Sequence, residues 1–279
     1  MIDKALDSSD ALEKLTRTIA RQPAKIYQLA LWKDPQRGIP NEFARSALFA
    51  AVSLNKPRHL ERVEIFSQNG FKVEYTGKQL TQSDLDVFEA VMHLARGTSE
   101  GTYIKFRART LLNMIGRHSG KSQYEWLLTV LSNLTATSVA ITRDKQAVFW
   151  GSILPRGAAK LGDDAMFTVE INRDLIGLFK RGYTVVEWDQ RKQLLRKPLA
   201  QHLHAWICSH DRPHAVSVSY VRQLSGSATK NLSKFRQSLR FALSAIKAVG
   251  AITDWAIDSS DRVHIKKAPP ALDAEVTAE

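Results

Sequence analysis

The same order of secondary-structure signals occurs twice along this 279-residue sequence. In the first half, apolar residues at helical spacing between residues 85 and 95 predict a helix. The strand pattern "YIKF" follows, and "RARTLLNMIG" then predicts a short helix that ends at Gly116. A longer helix is predicted for residues 119–138. "VAIT" and "AVFWGSIL", on either side of the polar turn "RDKQ", then predict a β-hairpin.

The second half repeats this order. "KPLAQHLHAWICSH" predicts a helix, "AVSVSYVRQLSG" a short strand and helix, and "SATKNLSKFRQSLRFALSAIKAVG" a long helix, while "AITDWAIDSSDRVHIKK" predicts a hairpin. Two such units predict an α+β fold of two tandem winged-helix domains, each a helix-turn-helix plus a β-hairpin wing. The predicted divisions are an N-terminal helix and flexible segment at residues 1–40, domains at 41–172 and 173–267, and a disordered acidic tail at 268–279.

Charge gives the strongest indication of what the chain binds. The formal net charge is +12, and residues 173–247 hold 14 Lys and Arg against four Asp and Glu. A block this basic typically meets phosphate, either in nucleic acid or on an anionic membrane surface. A solvated charged face is the alternative interpretation.

Composition argues against several other classes of protein. No stretch approaches the ~18 apolar residues of a membrane span, and the first residues lack the apolar run of a secretory signal. Cys208 is the only cysteine, so one chain can form neither a disulfide nor a Cys-based zinc site. We therefore expect a cytoplasmic protein without a membrane partner.

The long helix that begins near Ser227 has the pattern of a DNA-reading helix. Its apolar residues recur at spacings of three or four and should face the core, while no acid occurs between Ser227 and Gly250. The opposite face carries long cations and side chains that both donate and accept hydrogen bonds, as base reading requires. These predicted reading residues are Thr229, Lys230, Ser233, Lys234, Gln237 and Arg240.

Other DNA contacts are predicted around this helix and in the first half. Arg222 and Arg236 are expected to take phosphates, and Arg262 to contact DNA from the wing. In the first half, Lys121 and Ser122 open the corresponding long helix. DNA contact and a protein–protein surface are both open for that helix.

Three patterns that resemble catalytic motifs each have a better structural explanation. "GRHSGKS" separates its glycines by three residues where a phosphate-binding loop needs four, so we interpret it as a helix-capping turn. His202 and His204 are two apart on a predicted helix and do not share a face, which argues against a metal-dependent nuclease. Cys208 near irregularly spaced histidines is typical of a buried small apolar residue. We predict no enzyme, metal or cofactor.

"YQLALWK" at residues 27–33 leaves two interpretations open. Gln28, Leu29, Leu31 and Trp32 could form a short linear peptide whose apolar side chains fill another protein's pocket. Alternatively, the segment packs onto the chain's own first domain.

Two blocks carry a resemblance to a known family. "IPNEFARSALFAAVSLNK" and "VEYTGKQLTQSDLDVFEAVMHLAR" resemble the TrfA-type replication initiators of broad-host-range IncP plasmids, and the likeness extends over roughly residues 27–266. The resemblance implies binding to direct repeats (iterons) in double-stranded origin DNA, opening of an adjacent A+T-rich region, and recruitment of host replication proteins.

The resemblance also implies particular partners. It assigns Gln28, Leu29, Leu31 and Trp32 to a peptide that binds the host sliding clamp, with Trp replacing the usual Phe. The host helicase, the host initiator, single-stranded origin DNA and a second copy of the chain are further partners that it suggests. The chain resembles the shorter members of the family, which leaves a helicase-contacting extension unassigned.

Two other classes remain open. A winged-helix transcriptional repressor would form a stable dimer and bind an inverted repeat. An interaction module, in which both domains dock proteins, would bind DNA weakly and without sequence preference.

Overall fold

The computed structural model describes residues 32–52, 58–68, 70–96 and 103–269, which form a mixed α+β fold. The predicted mixture of helix and sheet is therefore confirmed. The predicted N-terminal helix, and the predicted tail beyond residue 269, lie outside the described residues.

Helices and strands alternate through most of this part of the chain. The helices are α1 (Asn41–Ala44), α2 (Gln82–Ala95), α3 (Ala108–Met114), α4 (Lys121–Thr135), α5 (Arg173–Arg181), α6 (Trp188–Gln193), α7 (Pro198–Cys208), α8 (Val218–Leu224) and α9 (Leu232–Ala248). The strands are β1 (Gln36–Pro40), β2 (Phe49–Ala50), β3 (His59–Ile65), β4 (Phe71–Lys78), β5 (Leu80–Thr81), β6 (Tyr103–Arg107), β7 (Ser138–Arg143), β8 (Gln146–Gly151), β9 (Gly157–Lys160), β10 (Met166–Glu170), β11 (Tyr183–Glu187), β12 (Val216–Ser217), β13 (Ile252–Ile257) and β14 (Arg262–Lys267).

A four-stranded antiparallel sheet of order β3-β4-β7-β8 lies in the first half. Because successive side chains of a strand point to opposite faces, β4 buries Phe71, Val73 and Tyr75 and exposes the residues between them. This buried face belongs to the same apolar core as Phe88 of α2. The alternation in the sequence therefore corresponds to a half-buried sheet.

A further strand pair joins distant segments of the chain. β1 pairs antiparallel with β11, from Gln36 opposite Glu187 to Pro40 opposite Tyr183. The larger apolar core includes Trp32, Trp188 and Ala205, and a second core begins at Leu194. The predicted divisions after residues 40 and 172 stay predictions, while the pairing of β1 with β11 joins segments too far apart for local periodicity to reveal.

The two halves are not simple copies. In the first half, the predicted hairpin is present as β7 and β8, but it joins the four-stranded sheet, whereas β6 pairs with β10. In the second half, β12 pairs directly with β14 of the following hairpin, giving the order β12-β14-β13. The second half therefore has the helix, strand, two helices and hairpin that the prediction requires, and the first half has additional strands.

The turn between α8 and α9 packs tightly against the first half. Gly226 has a φ of +61°, and a Cβ built there would lie 2.8 Å from the Cβ of Ala50. The backbone N–H of Ala51 donates to the carbonyl of Ser225 at 2.7 Å. Glycine is needed at residue 226 because of the positive φ and because a Cβ would clash with Ala50. The backbone hydrogen bond between Ala51 and Ser225 orients the start of α9 relative to β2.

A buried ionic cluster joins the halves at α6. The Arg191 guanidinium is 1% exposed, and its Nε lies 2.7 Å from Asp86 Oδ1 and 2.9 Å from Glu89 Oε2, both on α2. Its Nη atoms donate to the Gln201 carbonyl and to Gln82 Oε1, each at 3.2 Å. Burial raises the pKa of Glu89 to about 8, against the opposing effect of Arg191.

Candidate nucleic-acid interface

α9 begins at a side-chain cap and buries one apolar stripe. Asn231 Oδ1 accepts a hydrogen bond from the backbone N–H of Lys234 at 2.9 Å, which satisfies a donor of the first turn. Of the residues predicted to face the core, Leu232 is half-buried, and the others are buried: Phe235, Leu239, Leu243 and Ile246. Burial of this stripe fixes the rotation of α9 about its own axis, so the polar face of the helix points to solvent.

The predicted reading residues share that outer face. Lys230, Ser233, Lys234, Gln237 and Arg240 are exposed, and Thr229 is half-buried in the turn before the helix. Thr229 and Lys230 precede α9, and the other four residues lie along its first two and a half turns, where the helix itself carries no acid. This surface has the groups for phosphate neutralisation and for hydrogen bonds to base edges, and its contact with DNA stays a prediction.

Arg236 pairs with a carboxylate of the wing. Its Nε and Nη2 donate to Oδ1 and Oδ2 of Asp261 at 2.8 and 2.6 Å, and this hydrogen bonding lowers the pKa of the Asp261 carboxyl. Asp261 lies in the turn between β13 and β14 with a φ of +60°. These two hydrogen bonds brace the wing against α9. The phosphate contact of Arg236 stays a prediction.

The wing turn is held by a second carboxylate. Asp258 Oδ1 accepts the backbone N–H groups of Ser260 and Arg262, each at 2.9 Å, and Oδ2 lies 2.8 Å from His264 Nε2. The hydrogen bond from His264 lowers the pKa of Asp258. Arg262 is exposed beside this turn, and its Nη2 donates to the carbonyl of Ala215 at 2.9 Å.

A shallow concavity beside the start of α9 combines residues of both halves. It is lined by Arg222, Ser227, Thr229 and Lys230 of the second half and by Arg58 of the first. Arg222 donates through Nη1 to the Lys230 carbonyl at 2.8 Å, which fixes the guanidinium at this edge. Cations and hydroxyls at one concave surface can accept a DNA phosphate, and Arg58 was not among the predicted residues.

The predicted first-half residues lie on α4, a different helix. Lys121 and Ser122 are exposed in its first turn, where Gly120 is the N-cap residue. Nearby, the Arg117 guanidinium stacks 3.6 Å from the centre of the Trp126 ring and donates to Gln123 Oε1 at 2.8 Å. The structure shows an accessible basic helix start here and leaves both predicted uses of it open.

Sequence reasoning missed Phe241. This residue of α9 is 70% exposed, although the apolar stripe of the same helix is buried. The signal was present, because Phe241 falls six residues after Phe235 and thus outside the spacing of three or four that defines the stripe.

The Trp32 side chain is buried against other residues of the same chain in this structure. Its ring is 5% exposed, stacks on Phe179 with centroids 5.8 Å apart, and donates from Nε1 to His93 Nδ1 at 3.1 Å. Its carbonyl also accepts from Arg96. In this structure Trp32 packs into the chain's own larger apolar core, and its use by a partner stays a prediction. Gln28, Leu29 and Leu31 lie outside the described residues.

The residues considered for catalysis are part of the core. His202 and His204 are buried in α7, where His204 Nε2 lies 3.1 Å from Gln190 Oε1, and burial raises the pKa of the Cys208 thiol to about 11. "GRHSGKS" connects α3 and α4 as a turn. In the described ranges, no group of three or more His, Cys, Asp or Glu could hold a metal ion, and no helix is long and apolar enough to cross a membrane.

The buried histidines predict an acid-sensitive fold. Burial lowers the pKa of His202 to about 4 and of His204 to about 3, from 6.5. The unfolded chain then binds more protons below about pH 6.5, so each histidine should cost about 2 kcal/mol of stability between pH 7 and pH 5. Denaturant unfolding of His204→Gln at both pH values should show a smaller loss than the unmodified chain. Equal losses would contradict a neutral, buried His204.

The fold and the basic helix together define a class: a mixed α/β protein with an exposed basic helix face on its second half. The fold is similar to that of RctB domains 2 and 3 in a crystal structure of selenomethionine derivatives, with a TM-score of 0.54, 12% identity, and coverage of 83% of this chain and 99% of that chain. A second crystal structure of the same RctB domains has a TM-score of 0.49 and 12% identity, covering 78% of this chain and 95% of that chain.

Sequence comparison gives the family. The model of the TrfA protein family matches residues 5–267, so the chain belongs to this family. The plasmid replication initiator protein TrfA of Escherichia coli is 27% identical over 268 residues, which cover 92% of this chain and 68% of that protein. The family resemblance read from the sequence is thereby confirmed.

Proposed function

We propose that this protein initiates plasmid DNA replication by binding double-stranded origin DNA through α9. The observation that carries the proposal is the outer face of α9, which has no acid of its own and on which Ser233, Lys234, Gln237 and Arg240 are exposed, with Lys230 exposed just before the helix. Membership of the TrfA family supports the link to replication, because the relative from Escherichia coli is described as a plasmid replication initiator.

In the proposed complex, the start of α9 enters the major groove and reads base edges. Arg58, Arg222 and Lys230 take phosphates beside the groove, while Arg262 contacts DNA from the wing. The Arg236–Asp261 pair keeps the wing in place relative to the helix. DNA binding of this kind involves no chemical step, so the proposed function needs no catalytic residue, metal or cofactor.

The remaining steps follow from the family resemblance. We propose that the sites are direct repeats in a plasmid origin, that binding helps to open adjacent A+T-rich DNA, and that host replication proteins are recruited there, in the bacterial cytoplasm. Single-stranded origin DNA, the host helicase and the host initiator are proposed partners, with exchange between monomer and dimer. Clamp binding through Trp32 would require that ring to leave its buried position, so the proposal does not depend on it.

The proposal is tested with fragments of the replicon that encodes the chain. Purified protein is mixed with the fragments, the salt concentration is raised in steps, and the retained DNA is sequenced. Phosphate contacts alone weaken steeply with salt, so base-specific binding should leave one fragment containing directly repeated sites. A lone inverted repeat near a promoter would indicate the repressor, and loss of all fragments together would exclude specific binding.

Two substitutions test the reading face itself. Lys234→Ala or Arg240→Ala should weaken binding to the retained fragment by ~1 to 3 kcal/mol if the side chain reads a base. Fluorescence anisotropy with the retained and a scrambled duplex measures both affinity and discrimination. Lys72→Ala removes the same charge from β4, beside Glu64, and should change neither. Unchanged discrimination in the Arg240 variant would remove that residue from the reading face.

A further inference from the structure

Phe241 is the one feature of the α9 surface that phosphate binding does not explain. Its side chain is 70% exposed in the middle of a 17-residue helix whose other large apolar residues are buried or half-buried. An exposed phenylalanine gains nothing for folding, because its apolar area remains in water in the folded state. Its position leaves the ring available for a contact outside the folded chain.

Helical spacing places Phe241 on the line of the proposed reading residues. It lies four residues after Gln237 and seven after Lys234, so these three residues share the outer face of α9. Long side chains of a helix lean over the preceding turn, which directs the ring toward Gln237 and the cationic half. The aromatic surface thus adjoins the groups proposed to read base edges.

The charge of the surroundings indicates the chemistry of the partner. Arg240 is adjacent in sequence, and no acid occurs in residues 227–250. The cores of protein–protein interfaces are depleted of charged residues, whereas DNA interfaces are strongly positive. In the major groove, the apolar group that such a ring can meet is the 5-methyl group of thymine.

We infer that Phe241 contacts a thymine methyl group in the DNA site, and so contributes to its sequence specificity. This inference rests on the proposed function of α9. It adds an apolar reading contact, in the third turn of the helix, to the hydrogen-bonding residues of the first two and a half turns.

The test combines a protein variant with a DNA analogue. Deoxyuridine differs from thymidine by lacking the methyl group, and it replaces each thymidine of the salt-resistant duplex in turn. Burying one methyl group corresponds to about fourfold in affinity. We expect one or two positions at which deoxyuridine weakens binding of the unmodified chain about fourfold, and at which Phe241→Ala shows no further loss.

Two controls make the result specific. Trp150→Ala removes another exposed aromatic ring, 76% exposed on β8 of the first half, and should keep the full sensitivity to deoxyuridine. The melting temperature of Phe241→Ala should equal that of the unmodified chain, because the removed ring is not part of the core.

Several outcomes would overturn the inference. Phe241→Ala could bind thymidine DNA as tightly as the unmodified chain, or it could lose affinity equally for thymidine and deoxyuridine DNA at every position. The second result would show that the ring meets DNA sugar or another protein. In either case, weaker binding by Arg240→Ala would leave the proposed function of α9 intact, whereas equal binding of cognate and scrambled duplexes by the unmodified chain would refute that function itself.

Discussion

Trp32→Ala should lower the free energy of unfolding by ~3 to 5 kcal/mol, the range for removal of a large buried aromatic side chain. The ring contacts Phe179 and lies 6.1 Å from the Tyr183 ring, measured between centroids. A Cβ added at Gly38 would lie 2.6 Å from the indole, so the glycine allows β1 to approach the ring closely. Truncation would leave a cavity and also remove the hydrogen bond to His93.

Denaturant unfolding measures this loss, and the chain offers a matched control. Trp150→Ala makes the same substitution at an exposed ring and should change stability by no more than ~0.5 kcal/mol. If Trp32→Ala were equally neutral, Trp32 would be free in solution and available to a partner such as a sliding clamp. The experiment therefore decides between the two interpretations that the sequence leaves open for residues 27–33.

Arg191→Met should destabilise the chain by ~3 to 5 kcal/mol, because it removes the cation from two buried carboxyl groups. Asp86 and Glu89 on α2 would keep their burial and lose their main partner. The methionine fills part of the space, so the loss comes chiefly from unpaired polar groups. Since Arg191 links α6 to α2 and α7, the substitution should also weaken the contact between the halves.

Two comparisons separate this effect from a general loss of charge. Arg156→Met removes an exposed arginine that lies 3.5 Å from Glu170, and such surface pairs contribute ~0 to 1 kcal/mol. Adding Asp86→Asn to Arg191→Met should recover part of the lost stability, because a neutral amide is cheaper to bury than a carboxylate, whereas burial already favours the neutral form of Glu89 by raising its pKa to about 8. If this double variant is less stable than Arg191→Met, the unpaired Asp86 carboxylate is not the cause.

Local patterns in the sequence predicted the local features well. The alternation around Phe71, the apolar stripe of α9 and the hairpin after it all appear in the structure, because burial of one face imposes a period of two or 3.6. The outward position of Lys234 and Arg240 follows from the same stripe. These features depend on neighbours within a few residues.

Features that depend on distant partners could not be predicted this way. The pairing of β1 with β11, the Arg191 cluster and the placement of Arg58 beside Lys230 each join segments far apart in the sequence. Arg236 illustrates the same limit. Its place on a basic helix predicts a phosphate contact, and the local pattern gives no sign that the turn of the wing brings Asp261 within hydrogen-bonding distance.

Hydroxyl-radical footprinting on the replicon fragment that survives the highest salt tests the central claim most directly. An initiator that binds direct repeats through α9 should protect several short segments of the backbone, all in the same orientation and at constant spacing. A single protected region with two-fold symmetry would contradict this account and identify the protein as a dimeric repressor.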